Sequence, residues 1–194
     1  MNVIFAGSRR PLALKQWLYL ATSLVDCMTK MVPIAITLLR HGERYLFLKR
    51  RNPPYENLWS MVGGKVGLGE HIQDAAVREV MEETGASEIH NYAYRGMVSE
   101  RLIEPDRSLS AHFLIFVSYA EISSFSENHR EGDLALFTED EIESKKDKFL
   151  PSDYQMFKCF KEHDTSHSIY EAELLHDDTG YHLIYYRESG DETR

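Results

Sequence analysis

Residues 63 to 86 read GGKVGLGEHIQDAAVREVMEETGA. The run from about His71 to Thr84 has helical character, and Gly85 suits the left-handed position at which many helices end. With about 3.6 residues per turn, Glu79, Glu82 and Glu83 fall at i, i+3 and i+4 and project from one patch, whereas Val77, Val80, Met81 and Thr84 fall opposite and are assigned to the core. An acidic helix face is ordinarily solvated and gains from Lys or Arg four residues after a Glu, while like charges at that spacing cost about 0.2–0.5 kcal/mol per pair. Here positions 83, 86 and 87 are Glu, Ala and Ser. Arg78 points about a quarter-turn away, toward Glu70 or nearby backbone. Carboxylates without a counter-charge predict a hard cation, and Mg²⁺ is held by a few carboxylates together with substrate phosphates.

Gly63, Gly64, Gly67 and Gly69 permit close approach of the main chain to a ligand ahead of the helix N-terminus. The stretch is not a P-loop, because Val66 follows Gly64-Lys65 where Ser or Thr is required, and it is not a dinucleotide fingerprint.

Taken as one pattern, Gly64, five residues, Glu70, seven residues, then Arg78-Glu79-Val80-x-Glu82-Glu83-x-Gly85-Ala86 resembles the signature of the Nudix hydrolases. All its fixed positions match over 23 residues. Ala86 stands where a larger aliphatic is usual, and Val62 where a proline often precedes the glycine pair. The resemblance extends less specifically over residues 32 to 160, including Trp59 and the segment REGDLALF. It implies an α/β fold, a Nudix-type α/β/α sandwich with a mixed β-sheet, that hydrolyses a nucleoside diphosphate linked to another moiety with Mg²⁺ or Mn²⁺. A nucleoside triphosphate, a nucleotide sugar and ADP-ribose are the substrate types in view.

The same resemblance assigns Glu79, Glu82 and Glu83 to the metal. Metal there would polarise phosphoryl oxygens, offset charge developing in the transition state and acidify the attacking water. Glu79 and Glu131 are the candidates for proton acceptor. Glu70 is expected to orient Arg78 or a metal-bound water, Gly64 and Lys65 offer backbone and charge near the phosphates, and Arg51, from the basic run Lys49-Arg50-Arg51, is a candidate substrate contact. The rival reading is a nucleotide-sensing or protein-interaction module on the same fold, without turnover.

Outward from this stretch, VPIAITLLR (32 to 40) and RYLFLKR (44 to 50) read as strands, with Ile34, Ile36 and Leu38 on one face. LWSMV, YAYRGMVSERLI, SAHFLIFVSYA and DLALF read as further strands. TEDEIESK reads as a short helix capped by Thr138, and SDYQMFKCFKEH as a helix after Pro151. YEAELLHDDTGYHLIYYRE reads as a hairpin turning at Asp177 to Gly180. Tyr55 and Trp59 could stack on a base, Trp59 being the better core residue. The expected organisation is an N-terminal amphipathic helix in residues 1–30, the Nudix domain in 31–163, and a C-terminal hairpin in 164–194 packed on that domain.

Across 194 residues, 43% are hydrophobic, 27% charged, and the net charge is −9. The length fits one domain with a packed core. The acidic balance argues against tracking along a long nucleic acid, whose affinity comes from clustered cations, and leaves a small nucleotide held through metal. Cys27 and Cys159 make no disulfide framework, so a reducing, cytoplasmic setting is expected. QWLYLATSLV is too short to span a bilayer. The nine histidines show no metal-ligand spacing, and Tyr181, Tyr185 and Tyr186 are candidates for a homodimer contact.

Overall fold

The structure, a computed structural model, describes residues 31–52, 55–126, 132–162 and 168–190. The helix expected in residues 1–30 and the candidate acceptor Glu131 lie outside the described residues. From Met31 onward the chain forms one compact unit.

Strand β1 (Met31–His41) returns through a tight turn as β2 (Arg44–Arg50). Two short strands follow, β3 (Trp59–Ser60) and β4 (Val62–Lys65), and then helix α1 (Ile72–Thr84). Long strands β5 (Ile89–Ile103) and β6 (Leu109–Ile122) precede β7 (Gly132–Phe137). Helix α2 (Glu139–Ser144), a 3₁₀ turn (Lys146–Lys148) and helix α3 (Pro151–Phe160) lead to β8 (Ser168–Asp177) and β9 (Gly180–Glu188).

The nine strands of the described residues join one mixed sheet, in the order β3-β2-β1-β6-β5-β8-β9, with β4 also pairing β1 and β7 pairing β2. β1 runs parallel to β6 and β5 parallel to β8, whereas the hairpin partners are antiparallel.

Period-two alternation along β1 sorts its side chains between two layers. Ile36 and Leu38, with Ile34 alongside, join the core formed with Phe47, Val98, Val117, Met156, Phe157 and Phe160, which is the α3 face. Ala35 meets Ala75 and Ala76 of α1, and Leu39 packs with Val62, Val80 and Ala120. A helix on each face of the sheet is the expected sandwich. Edge-to-face contacts reinforce the α3 side, with Phe47 and Phe149 at 4.9 Å and Trp59 and Phe137 at 4.9 Å between ring centroids; Trp59 is therefore a core residue.

The local signals in the sequence act as expected at the helix ends. Thr138 accepts from the Glu141 N–H while the Glu141 side chain accepts from the Thr138 N–H, a complete capping box. Gly85 adopts φ 69° at the end of α1, a conformation costly for any residue with a Cβ. The C-terminal hairpin continues the domain's own sheet through the β5–β8 pairing. Among the described residues no helix is long and apolar enough to cross a membrane.

Candidate active site

The pairing of β4 with β1, Ala35 opposite Gly64 and Ile36 opposite Gly63, lays the glycine pair under the acidic side of α1. These glycines stand in a strand, not in a loop, and serve close approach. A Cβ at Gly64 would lie 2.5 Å from Glu79 Cδ, and one at Gly63 would lie 2.2 Å from the Ala35 carbonyl oxygen. The Gly63 N–H is left free to donate to Glu83 Oε2 at 2.9 Å.

That bond corrects the assignment of helix faces. Glu83 is buried at 3% exposure, while Met81, expected in the core, is 41% exposed. Helical spacing fixes the angles between side chains but not the rotation of the helix on the sheet; here the small β4 residues and a free amide receive a carboxylate where an aliphatic would otherwise sit. Glu79, with its side chain 14% exposed, comes next, and Glu82 at 62% reaches solvent. The three carboxylates thus run from protein wall to water.

The expectation that these carboxylates lack a counter-charge is also corrected. Arg78 Nε and Nη2 donate to the two oxygens of Glu70 at 2.8 and 3.0 Å. Its Nη1 donates to Glu79 Oε1 at 2.7 Å and Glu82 Oε2 at 3.1 Å, and Nη2 also reaches the Lys65 carbonyl at 3.1 Å. The planar, five-donor guanidinium on a long stem spans what helix geometry alone assigns to a different sector. Bonding to Arg78, and then the Gly67 N–H at 2.8 Å, hold the Glu70 carboxyl down to about 2. The same carboxylates raise the pKa of Arg78, Glu70 contributing most.

The donor set fits a hard divalent cation in its chemistry. Every acidic donor is a carboxylate oxygen, which suits Mg²⁺ and Mn²⁺. Glu70, Glu79 and Glu82 share the guanidinium of Arg78, Glu83 receives the Gly63 N–H, and Lys65 beside them is exposed. Among the described residues no three His, Cys, Asp or Glu side chains stand together closely enough to hold a metal ion; Arg78 Nη1 bonds both Glu79 and Glu82.

A cavity of about 510 Å³ opens beside this cluster, lined by Gly63, Gly64, Lys65, Glu79 and Glu83, and also by Tyr55, Glu100, Phe113, Leu150 and Asp153. Glu100 from β5 is 2% exposed and Asp153 from α3 is 6% exposed. Burial pushes the Glu100 carboxyl up to about 7 against the pull of the neighbouring Ser152 and Tyr55 hydroxyls. Burial likewise pushes Asp153 up to about 7, opposed by the Met61 N–H that donates to it at 2.7 Å and aided by the nearby charge of Glu100. A larger open groove of about 960 Å³, bordered by Lys146, Asp177 and Tyr181, touches none of the signature carboxylates, so the smaller cavity is the site.

The structure thus gathers Glu70, Arg78, Glu79, Glu82, Glu83, Gly64 and Lys65. It does not bring in Arg51, which pairs with Asp133 at 2.5 Å; Arg50 lines the cavity in its place. Sequence reasoning missed Glu100 and Asp153. The signal for Glu100 was its parity with Val98 and Leu102, both buried, which put a carboxyl on an inward-facing position.

A NUDIX domain model matches residues 29–160, and the chain belongs to that family. A Bacillus subtilis (strain 168) protein named as an 8-oxo-dGTP diphosphatase is 42% identical over 50 residues, 26% of this chain and 32% of that protein. An ADP-ribose pyrophosphatase of Methanocaldococcus jannaschii is 38% identical over 48 residues, 25% of this chain and 28% of its own. The chain therefore aligns with about a third of the length of these curated relatives. The crystal structure of a MutT mutator protein from Bacillus halodurans superposes with a TM-score of 0.66 at 21% identity, covering 82% of this chain and 98% of that one. A bifunctional NMN adenylyltransferase/ADP ribose pyrophosphatase from Francisella tularensis, complexed with AMP and a Mn ion, gives 0.55 at 18% identity over 76% of this chain and 46% of its own. At these identities the structural matches speak to the fold.

Proposed function

We propose that the chain is a nucleotide pyrophosphohydrolase that adds water across a phosphoanhydride bond of a nucleoside diphosphate linked to another moiety, releasing two phosphate products. The observation that carries this reading is the position of Glu79, pressed against Gly64 and bonded to Arg78 at 2.7 Å, beside a cavity large enough for part of a nucleotide. Glu79, Glu82 and Glu83 would hold Mg²⁺ or Mn²⁺. When bound, such a cation supplies Lewis-acid polarisation and charge neutralisation at the phosphoryl oxygens.

The chain's own groups account for the remainder. Arg78 orients Glu79 and Glu82 and is itself fixed by Glu70. Glu79 would accept a proton from water, Glu131 remaining a second candidate from outside the described residues. Lys65 and the Gly64 backbone flank the phosphate path, and the apolar wall formed by Phe113 and Leu150 excludes water from the other end of the substrate. The names of the two relatives, an 8-oxo-dGTP diphosphatase and an ADP-ribose pyrophosphatase, support a nucleoside triphosphate or a nucleotide conjugate as the substrate. A small nucleotide is the expected partner; a long nucleic acid is not.

The test is chromatography of products after incubation with nucleoside triphosphates, nucleotide sugars, ADP-ribose and dinucleotides, with and without Mg²⁺. Metal-dependent cleavage at a pyrophosphate supports the enzyme. Nucleotide binding with no consumption across the panel moves the assignment to a sensing module.

A further inference from the structure

The C-terminal hairpin lies beyond the residues that the family model matches, yet it is built into the cavity wall. β8 pairs with β5 so that Ala172 stands opposite Glu100. Leu174, fully buried, shares a core cluster with Tyr55, Leu102 and Leu150, and Phe113, Tyr181 and Leu183 pack against it. Tyr55, Phe113 and Leu150 of that cluster also line the cavity.

Tyr55 is the joint between hairpin and cavity. Its φ of 71° is strained for a bulky residue with a Cβ, and such strain persists where surrounding contacts over-determine the conformation. The contacts are present. The Tyr55 N–H donates to Tyr181 Oη at 3.2 Å, the two rings meet edge to face at 4.6 Å, and the Tyr55 hydroxyl donates to Glu100 Oε1 at 3.3 Å. His176 stacks on the Tyr181 ring at 4.4 Å.

One oxygen is incompletely satisfied. Glu100 Oε2 is buried and makes no hydrogen bond of good geometry; the Ser152 hydroxyl, close enough to draw the Glu100 pKa down, does not complete one either. A buried carboxyl oxygen without a donor carries a desolvation cost that a ligand N–H would remove.

Resting on the reading of this cavity as the substrate site, we propose that Glu100 accepts an N–H of an exocyclic amine on the substrate's nucleobase. Tyr181 of the hairpin is the positioning residue that fixes Glu100 through Tyr55. The hairpin is thereby a specificity element added to the family domain, and the phosphate chemistry at α1 does not depend on it.

The experiment is titration calorimetry, which reads binding whether or not the chain turns substrate over. Paired ligands differ in one amine: AMP against purine riboside monophosphate, and GMP against IMP, with the pyrophosphate-bearing analogues alongside. The wild-type chain should prefer the amine-bearing member of at least one pair by about tenfold or more. Glu100→Leu should abolish that preference, and Tyr181→Ala should reduce it severalfold. Tyr181→Phe, which keeps the ring but not the acceptor, should fall between, and Ile184→Ala, an exposed change on the same hairpin, should leave it intact. A wild-type chain indifferent to the amine in both pairs overturns the proposal, as does a folded Glu100→Leu or Tyr181→Phe chain with the wild-type ratio. Absence of hydrolysis with the preference intact overturns the enzymatic reading alone.

Discussion

Arg78 and Glu70 meet fork to fork, Nε to Oε1 at 2.8 Å and Nη2 to Oε2 at 3.0 Å. Paired contacts of this kind fix the guanidinium plane as well as its charge, so Glu70, eight residues before Arg78 in the chain, sets the direction from which Nη1 addresses Glu79 and Glu82.

Glu70→Gln should therefore lower turnover by about tenfold, the scale of losing a group that orients a ligand, and Arg78→Lys should lower it at least as far because an ammonium cannot reproduce the fork. Steady-state kinetics at saturating metal, with circular dichroism to confirm folding, reads both. The Glu70 carboxyl is held at about 2, below its ordinary 4.5. Its contribution to folding is thus present above pH 4.5 and is lost as the pH falls toward 2.

Glu100 and Asp153 titrate in the opposite sense. Their unfolded values are 4.5 and 3.8 and both rise to about 7 on folding. In that window the folded state holds more protons than the unfolded one, so stability falls as the pH climbs from about 4 to 7. Glu100→Gln removes one of these titrations, at most about 3 kcal/mol for a fully buried carboxyl. Thermal melts should show the variant gaining several degrees at pH 8, at about 2–4 °C per kcal/mol, and no gain at pH 4.

The glycine pair separates stability from chemistry. Gly64→Ala drives its new methyl into the Glu79 carboxylate, a movable side-chain end, whereas Gly63→Ala drives one into the Ala35 carbonyl and the Ile36 backbone. Gly64→Ala should stay folded and lose activity at least about tenfold. Gly63→Ala should lose stability by about 1–3 kcal/mol or more, and melting temperature set against turnover distinguishes the two.

Thr138→Ala opens the capping box of α2, remote from the cavity-lining residues. A loss of about 1 kcal/mol, seen as a lowered urea midpoint with kcat unchanged, is the expected outcome.

Most of the fold was legible because its signals are local. Alternation placed Ile34, Ile36 and Leu38 on one face of β1, Thr138 and Gly85 marked helix ends, and Asp177 to Gly180 marked the last turn. The signature residues Gly64 to Gly85 were legible as a set, since their spacing is the pattern itself. Their relative placement was not. Glu83 turned inward and Met81 outward because the rotation of α1 depends on β4, whose glycines leave room that no feature of the helix sequence encodes. Arg78 was not legible as the counter-charge because helix geometry points it about a quarter-turn away, yet its long stem lets one guanidinium reach Glu79 and Glu82 as well as Glu70. Glu100 and Asp153 come from β5 and α3, far apart in the chain, and only the folded sheet joins them in one cavity.

The central claim is that the α1 carboxylates carry out pyrophosphate hydrolysis. A Mg²⁺ titration of product formation from the best panel substrate, run on the wild-type chain and on Glu82→Gln/Glu83→Gln, tests it most directly. The account predicts a saturable metal dependence in the wild type and a loss of at least about a hundredfold in kcat for the variant at every metal concentration. Equal turnover by the folded variant, or wild-type turnover untouched by chelator, would contradict it.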